Sequence, residues 1–154
     1  MIQRIQTVYL FIALILLVLM FFIPYAELLA SNEKIYYLYF DGIKILDAEN
    51  HKTVYSAIPL FFLIFFITMI CFISIFLFKK RILQIRLCIF NILLMLGMEG
   101  LIFFYAFNAK GKLDAIIHFN FPVVLLAFSV ILTYLAFRGI KKDEKLIRSY
   151  DRIR

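Results

Sequence analysis

One carboxylate, Glu99, interrupts a run of apolar residues from Leu87 to Phe107. It follows Leu87 by twelve positions, about 18 Å along a helix, which is mid-bilayer if that run crosses one. An acid at that depth is costly. It is expected to face a bundle interior, to find a hydrogen-bond partner and to hold its proton, since desolvation penalises the charged form. On antiparallel neighbouring spans the hydroxyls nearest that depth are Thr68 and Ser129. Two roles stay open for Glu99. It is a proton or ion site, or it is a structural acid bonded within the bundle or to another subunit's helix. Gly97 and Gly100 flank it and permit close backbone approach by a neighbouring helix.

The other reactive side chains form no constellation. Asn91, lower on the same run, reads as an interhelical hydrogen-bonding residue. His51 and His118 fall in different loops, and neither they nor the nearby Asp47, Glu49 and Asp114 have a metal-ligand spacing. No histidine lies in an apolar run to hold a haem. Cys71 and Cys88 lie inside apolar runs and read as small packing residues, not as a disulfide framework. Ser56, Ser74 and Ser129 have no paired base, and no glycine pattern cradles phosphate. The chain is therefore expected to have no catalytic residues, no bound metal and no cofactor, and not to be an enzyme.

The elements that must place these residues follow from composition. Of 154 residues, 65% are hydrophobic and 18% charged, against roughly 45–50% and 25% in soluble domains. One core in a chain this size cannot hide that much apolar surface from water, so a bilayer must take it. Four runs are long enough to cross as helices: about 7–29, 57–78, 87–107 and 122–140. Pro59 and Pro122 fit first helical turns, and Pro24 kinks or ends the first span. Twelve of the seventeen Lys and Arg residues fall in the N-tail, the 79–86 loop, the C-tail and, with Arg138, the adjoining end of the fourth run, whereas five fall in the other two loops. By the positive-inside rule both termini are cytoplasmic. The net charge of +7 is thus a topology signal and an attraction to anionic headgroups, and no nucleic acid partner is expected. The first run is too long, and lacks the small-residue cleavage pattern, for a removed signal peptide.

The loop 30–56 carries Lys34–Phe40, then Asp41-Gly42, then Ile43–Leu46. This is a β-hairpin signal centred on Asp-Gly, with Lys52–Tyr55 as a third strand. Tyr25, Tyr36, Tyr37, Tyr39, Tyr55 and Tyr105 gather at that outer side, as an interfacial aromatic belt or as a recognition surface through Tyr36, Tyr37 and Tyr39. The tail 141–154 reads as a helix continuing the fourth span. It carries Leu146, Ile147, Tyr150 and Ile153 on one side, with Arg148 and Arg152 among its cations. It lies on anionic headgroups or docks a cytoplasmic protein.

The start, Met1-Ile-Gln-Arg-Ile-Gln-Thr-Val-Tyr-Leu10, and the end, Arg138 to Arg154, resemble the family catalogued as domain of unknown function 4293, small four-span inner-membrane proteins of Bacteroidetes. The resemblance implies a bacterial cytoplasmic membrane and carries over no catalytic residue. The expected architecture is an all-α four-helix transmembrane bundle with a small extracytoplasmic β-hairpin between helices 1 and 2 and an amphipathic cytoplasmic C-terminal helix, in one membrane domain spanning 1–154. The layout is reminiscent of claudin-like tetraspan proteins, by analogy only. The expected function is that of a non-enzymatic accessory or scaffold subunit with a membrane or cytoplasmic protein partner. The alternative is a small proton- or ion-coupled component centred on Glu99.

Overall fold

The structure, a computed structural model, describes residues 3–30, 34–47 and 50–151. Four helices run α1 (Gln3–Leu19), α2 (Ile58–Phe76), α3 (Arg81–Leu113) and α4 (Phe121–Asp151). Five strands cluster at one end: β1 (Ala26–Ala30), β2 (Ile35–Tyr39), β3 (Gly42–Asp47) and β4 (Asn50–Ser56) between α1 and α2, and β5 (Ala115–Phe119) between α3 and α4. A short 3₁₀ turn, Leu77–Lys79, joins α2 to α3.

The helices form a ring in which α1 touches α2 and α4, and α3 touches α2 and α4; α1 on α4 is the most extensive of these pairs. Each buries a narrow seam. On α2 it is Leu60, Ile64, Ile67, Cys71 and Ser74, and on α3 it runs from Gln84 through Cys88, Asn91, Met95, Met98 and Ile102 to Ala109. Alternating steps of three and four keep one stripe inward, as in left-handed bundles. The opposite faces carry exposed Phe62, Phe66, Phe90, Phe104 and Phe128. That much exposed aromatic surface is untenable in water and natural against lipid tails.

Three helices, α2, α3 and α4, are long and apolar enough to cross a membrane, whereas α1 is a shorter apolar helix of 17 residues. The expected first span, 7–29, is therefore corrected: helix gives way to strand before its end. Phe21 and Phe22 bond back to Val18 and Leu19 carbonyls in a tightened last turn. Pro24 then offers no N–H and disfavours helical geometry at Ile23. Helix α3 runs further at both ends than expected, and the tail continues α4 without a break to Asp151.

The expected small hairpin is part of a larger element. A five-stranded antiparallel sheet, ordered β4-β3-β2-β1-β5, caps the bundle. The turn also differs. Tyr39 pairs with Gly42, so Phe40 and Asp41 form the loop, one residue earlier than the Asp-Gly signal places it. A primed turn on Asp41-Gly42 would swing Phe40 away. Instead its ring lies 5.4 Å from Phe21 and 5.9 Å from Phe61, anchoring the turn on the helix ends. Gly42 (φ 150°) is required by close approach: a Cβ there would collide with the Tyr55 carbonyl oxygen on β4.

Asp114, the left-handed C-cap of α3 (φ 44°), turns the chain directly into β5. β5 pairs along all of β1, from Ala26↔Phe119 to Ala30↔Ala115. Asn120 fixes the start of α4: its N–H donates to the Tyr25 carbonyl and its Nδ2 to Glu27 Oε1 at 3.1 Å.

Candidate functional site

Three places hold polar groups against this apolar frame: the helix ends opposite the sheet, the middle of α3, and the outward face of the sheet.

At the far end, α1 and α4 are joined by a polar contact. Gln6, 7% exposed, donates from Nε2 to Asp143 Oδ2 at 2.8 Å. Gly139 makes the room, since a Cβ there would lie 2.9 Å from Gln6 Cγ. Below this contact Leu10, Cys88, Ala136 and Ile140 pack together from α1, α3 and α4, with Ile75 of α2 against them. Gln84 Nε2 donates to the Ser74 carbonyl at 2.9 Å, tying the start of α3 to α2. The two terminal segments that carried the family resemblance thus meet residue against residue. Sequence reasoning placed them on one side of the membrane but did not pair them; the signal available was that both quoted segments hold polar residues among apolar ones.

The same end holds a cavity of about 640 Å³ between the start of α3 and the extension of α4. Its charged lining residues are Lys80, Arg81, Arg86 and Glu144. Arg81 Nη1 is buried and has no hydrogen-bond partner. Leu146 and Ile147 are exposed on the α4 extension, and Ile147 lines this cavity. The side chains of Arg148 and Tyr150, and residues Arg152 and Ile153 altogether, lie outside the described residues.

In the middle of α3, Glu99 is half-buried on the flank of the seam. The structure does not bring the two expected hydroxyls to it as donors. Thr68 Oγ1 donates to the Ile64 carbonyl at 2.8 Å and Ser129 Oγ to the Leu125 carbonyl at 2.9 Å, each within its own helix. Thr133 does the same toward Ser129. Serine and threonine back-bonding of this kind is how hydroxyls are satisfied inside apolar helices. Asn91 is buried in the seam with Oδ1 unpartnered. Gly97 and Gly100 face open space, with nothing within 4 Å of an added Cβ, so among the described residues no neighbouring helix approaches them closely.

On the sheet, strand alternation divides the tyrosines. Tyr36 and Leu38 are buried against the bundle, whereas Tyr37 and Tyr39 point outward, half-buried. Tyr36 is therefore corrected from contact surface to core, because neighbouring strand residues face opposite sides. The outward face has two rows. One crosses His118, Glu27, Tyr37 and Lys44; the next crosses Ile116, Leu29 and Ile35. In the second row Ile116 is 65% exposed, Ile35 41% and Leu29 39%. Lys44 bonds Asp41 at 2.7 Å and sits over the Tyr39 ring.

His51 on β4 and His118 on β5 belong to strands at opposite edges of the sheet, four strand spacings or about 19 Å apart. Among the described residues no group of three or more His, Cys, Asp or Glu side chains is placed to hold a metal. Tyr25, where the chain enters the sheet, is fully buried with its hydroxyl unpartnered. Burial pushes its pKa well above the usual phenol value, and the Asp41 carboxylate adds to the shift.

A family model described as Domain of unknown function (DUF4293) matches residues 2–153. No curated protein matches the chain.

Proposed function

The chain belongs to the DUF4293 family, and from that premise we propose that it is a multi-pass protein of the bacterial inner (cytoplasmic) membrane, acting as a non-enzymatic accessory or scaffold subunit of a membrane assembly. In this reading α1 is the fourth span, completed by the turn that follows it. The far end with its concentration of Lys and Arg is cytoplasmic, giving an N-in/C-in chain against anionic headgroups. The sheet stands on the outer side.

The observation that carries the scaffold role is the row Ile116–Leu29–Ile35. Three aliphatic side chains stand on adjacent strands of the outward face, next to a row of polar and aromatic residues. The bundle does not need them, since Leu28, Tyr36, Leu38 and Ile43 cover the inner face. An apolar patch rimmed by polar groups and tyrosine has the composition of a protein contact. The test is affinity purification of the full chain in mild detergent, with mass spectrometry. A membrane protein should co-purify in fixed ratio with wild type and be lost from Ile35→Asp and Ile116→Asp. Recovery of wild type alone, repeatedly, counts against the reading.

The half-buried carboxyl of Glu99 in mid-α3 motivates the other reading, a proton- or ion-coupled component. Glu99→Gln keeps the shape and removes the titratable group. Proton flux through wild-type proteoliposomes that Glu99→Gln abolishes would favour transport, and the absence of flux in both would leave scaffolding as the better account.

A further inference from the structure

The far end of the bundle holds the cavity of about 640 Å³ between the start of α3 and the extension of α4. Its charged lining comes from Lys80, Arg81 and Arg86, with Glu144 as the one carboxylate among the lining residues. Arg81, a partly buried lining residue, has one nitrogen, Nη1, that is buried with no hydrogen-bond partner. A guanidinium nitrogen removed from water and left unpaired is costly, and the group that relieves it most effectively is an oxyanion.

A second feature converges on the same spot. Helix α3, 33 residues long, begins at Arg81 with no side chain capping its first turn. The first-turn residues Ile82 and Leu83 also line the cavity. An uncapped helix start presents backbone N–H groups and the positive end of the helix dipole to whatever occupies it. Three cationic residues and an uncapped helix start around one cavity are the groups that bind phosphate elsewhere.

Depth identifies the source of that phosphate. Arg86 and Lys110, on one continuous helix, are 24 residues or about 36 Å apart. That separation brackets a hydrocarbon layer of about 30 Å, so Lys80 to Arg86 stand in the headgroup layer. Leu83, Ile82 and Ile147 give the cavity apolar walls beside the cations. Phosphate next to hydrocarbon is the arrangement of a phospholipid.

Resting on the N-in/C-in membrane reading above, we propose that this cavity is a binding site for the phosphate group of an anionic phospholipid of the inner leaflet, held by Arg81 and Arg86 with Lys80 and the amides that open α3. The lipid then bridges the start of α3 to the extension of α4.

The test uses the full chain, delipidated in neutral detergent, with native mass spectrometry and thermal unfolding as readouts. Phosphatidylglycerol should bind and raise the unfolding temperature, whereas phosphatidylcholine should not. Arg81→Gln should weaken phosphatidylglycerol binding about tenfold or more, the cost of losing one charge-assisted hydrogen bond. Arg86→Gln should weaken it less, and Arg81→Lys should restore part of it. Lys110→Gln, the same charge change at the other end of α3, should leave it unchanged. Each variant is compared with wild type in lipid-free detergent first, so that a folding defect is separated from lost binding. Inorganic phosphate is a separate arm. Competition against the lipid at millimolar concentration would retain the phosphate site but overturn the lipid as its source. Equal binding of both lipids, or equal phosphatidylglycerol binding by wild type and a folded Arg81→Gln, would overturn the proposal.

Discussion

Replacing Gly139 with alanine sets two effects of opposite sign against each other. Alanine in a helix interior is favoured over glycine by about 1 kcal/mol. At Gly139, however, the new Cβ would lie 2.9 Å from Gln6 Cγ and 3.2 Å from its Nε2. Gln6 cannot simply swing aside, because it is buried and its amide is bonded to Asp143 at 2.8 Å. Relieving the overlap by shifting packed elements costs about 1–3 kcal/mol. Releasing the bond to the carboxylate costs about a further 1.5 kcal/mol. The net expectation is a loss of about 2 kcal/mol. Gly97, Gly100 and Gly111 are the internal controls. A Cβ at any of them meets nothing within 4 Å, so alanine there should be neutral or stabilising by up to about 1 kcal/mol. Reversible unfolding in mixed detergent micelles, followed by far-ultraviolet circular dichroism, measures all four. A double-mutant cycle isolates the cause: in a Gln6→Ala background the clashing atoms are gone, and Gly139→Ala should turn from loss to gain. Wild-type or higher stability for Gly139→Ala alone would refute the packing argument. So would an unchanged loss in the Gln6→Ala background.

Gly42→Ala forces a Cβ into the Tyr55 carbonyl oxygen at a positive φ. It should unpair β3 from β4, read as loss of amide hydrogen-exchange protection over 50–56 with the helices still protected. Tyr25 gives the pH dependence. Its folded pKa is raised, so above the unfolded value of about 10 the unfolded chain releases a proton that the folded chain keeps. Stability is therefore whole below pH 10 and falls as pH rises beyond it, by about 1.4 kcal/mol per unit from this group. Tyr25→Phe should flatten that fall and cost little at neutral pH, since the hydroxyl has no partner to lose; an unchanged slope in unfolding curves from pH 9 to 11 would contradict it. Asp114→Val places a branched side chain at φ 44° and should destabilise by about 1–2 kcal/mol, more than Asp114→Gly, in the same micelle unfolding assay.

What the sequence made legible was whatever depends on long apolar runs. Helices α2 and α4, the break at Pro24 and the helical tail all follow from run length, proline and periodicity. What it hid depends on partners far along the chain. Ala26-Glu-Leu-Leu-Ala30 is made of helix formers and reads as the end of a span. It becomes a strand because β2 and β5 pair with it on both sides, and such pairing overrides weak local preference. The strand Ala115–Phe119 is only five residues long and finds its partner 93 positions away, as in Ala26↔Phe119. Reading Tyr36, Tyr37 and Tyr39 as one surface overlooked that period-two alternation sends Tyr36 inward. At the far end, the unusual types were visible but the pairing of Gln6 with Asp143, 137 positions apart, was not. Arg81 read as a topology charge; only the folded chain shows that one of its nitrogens is buried without a partner.

The central claim is that the outward face of the sheet is a contact surface. Site-specific photo-crosslinking in intact cells tests it most directly, with the photoreactive residue placed in turn at Leu29, Ile35 and Ile116 and, as a lipid-facing control, at Phe66. The account predicts one discrete crosslinked protein species shared by the three sheet positions and absent from the control. Uncrosslinked chain from all three sheet positions, or the same products from Phe66, would contradict it.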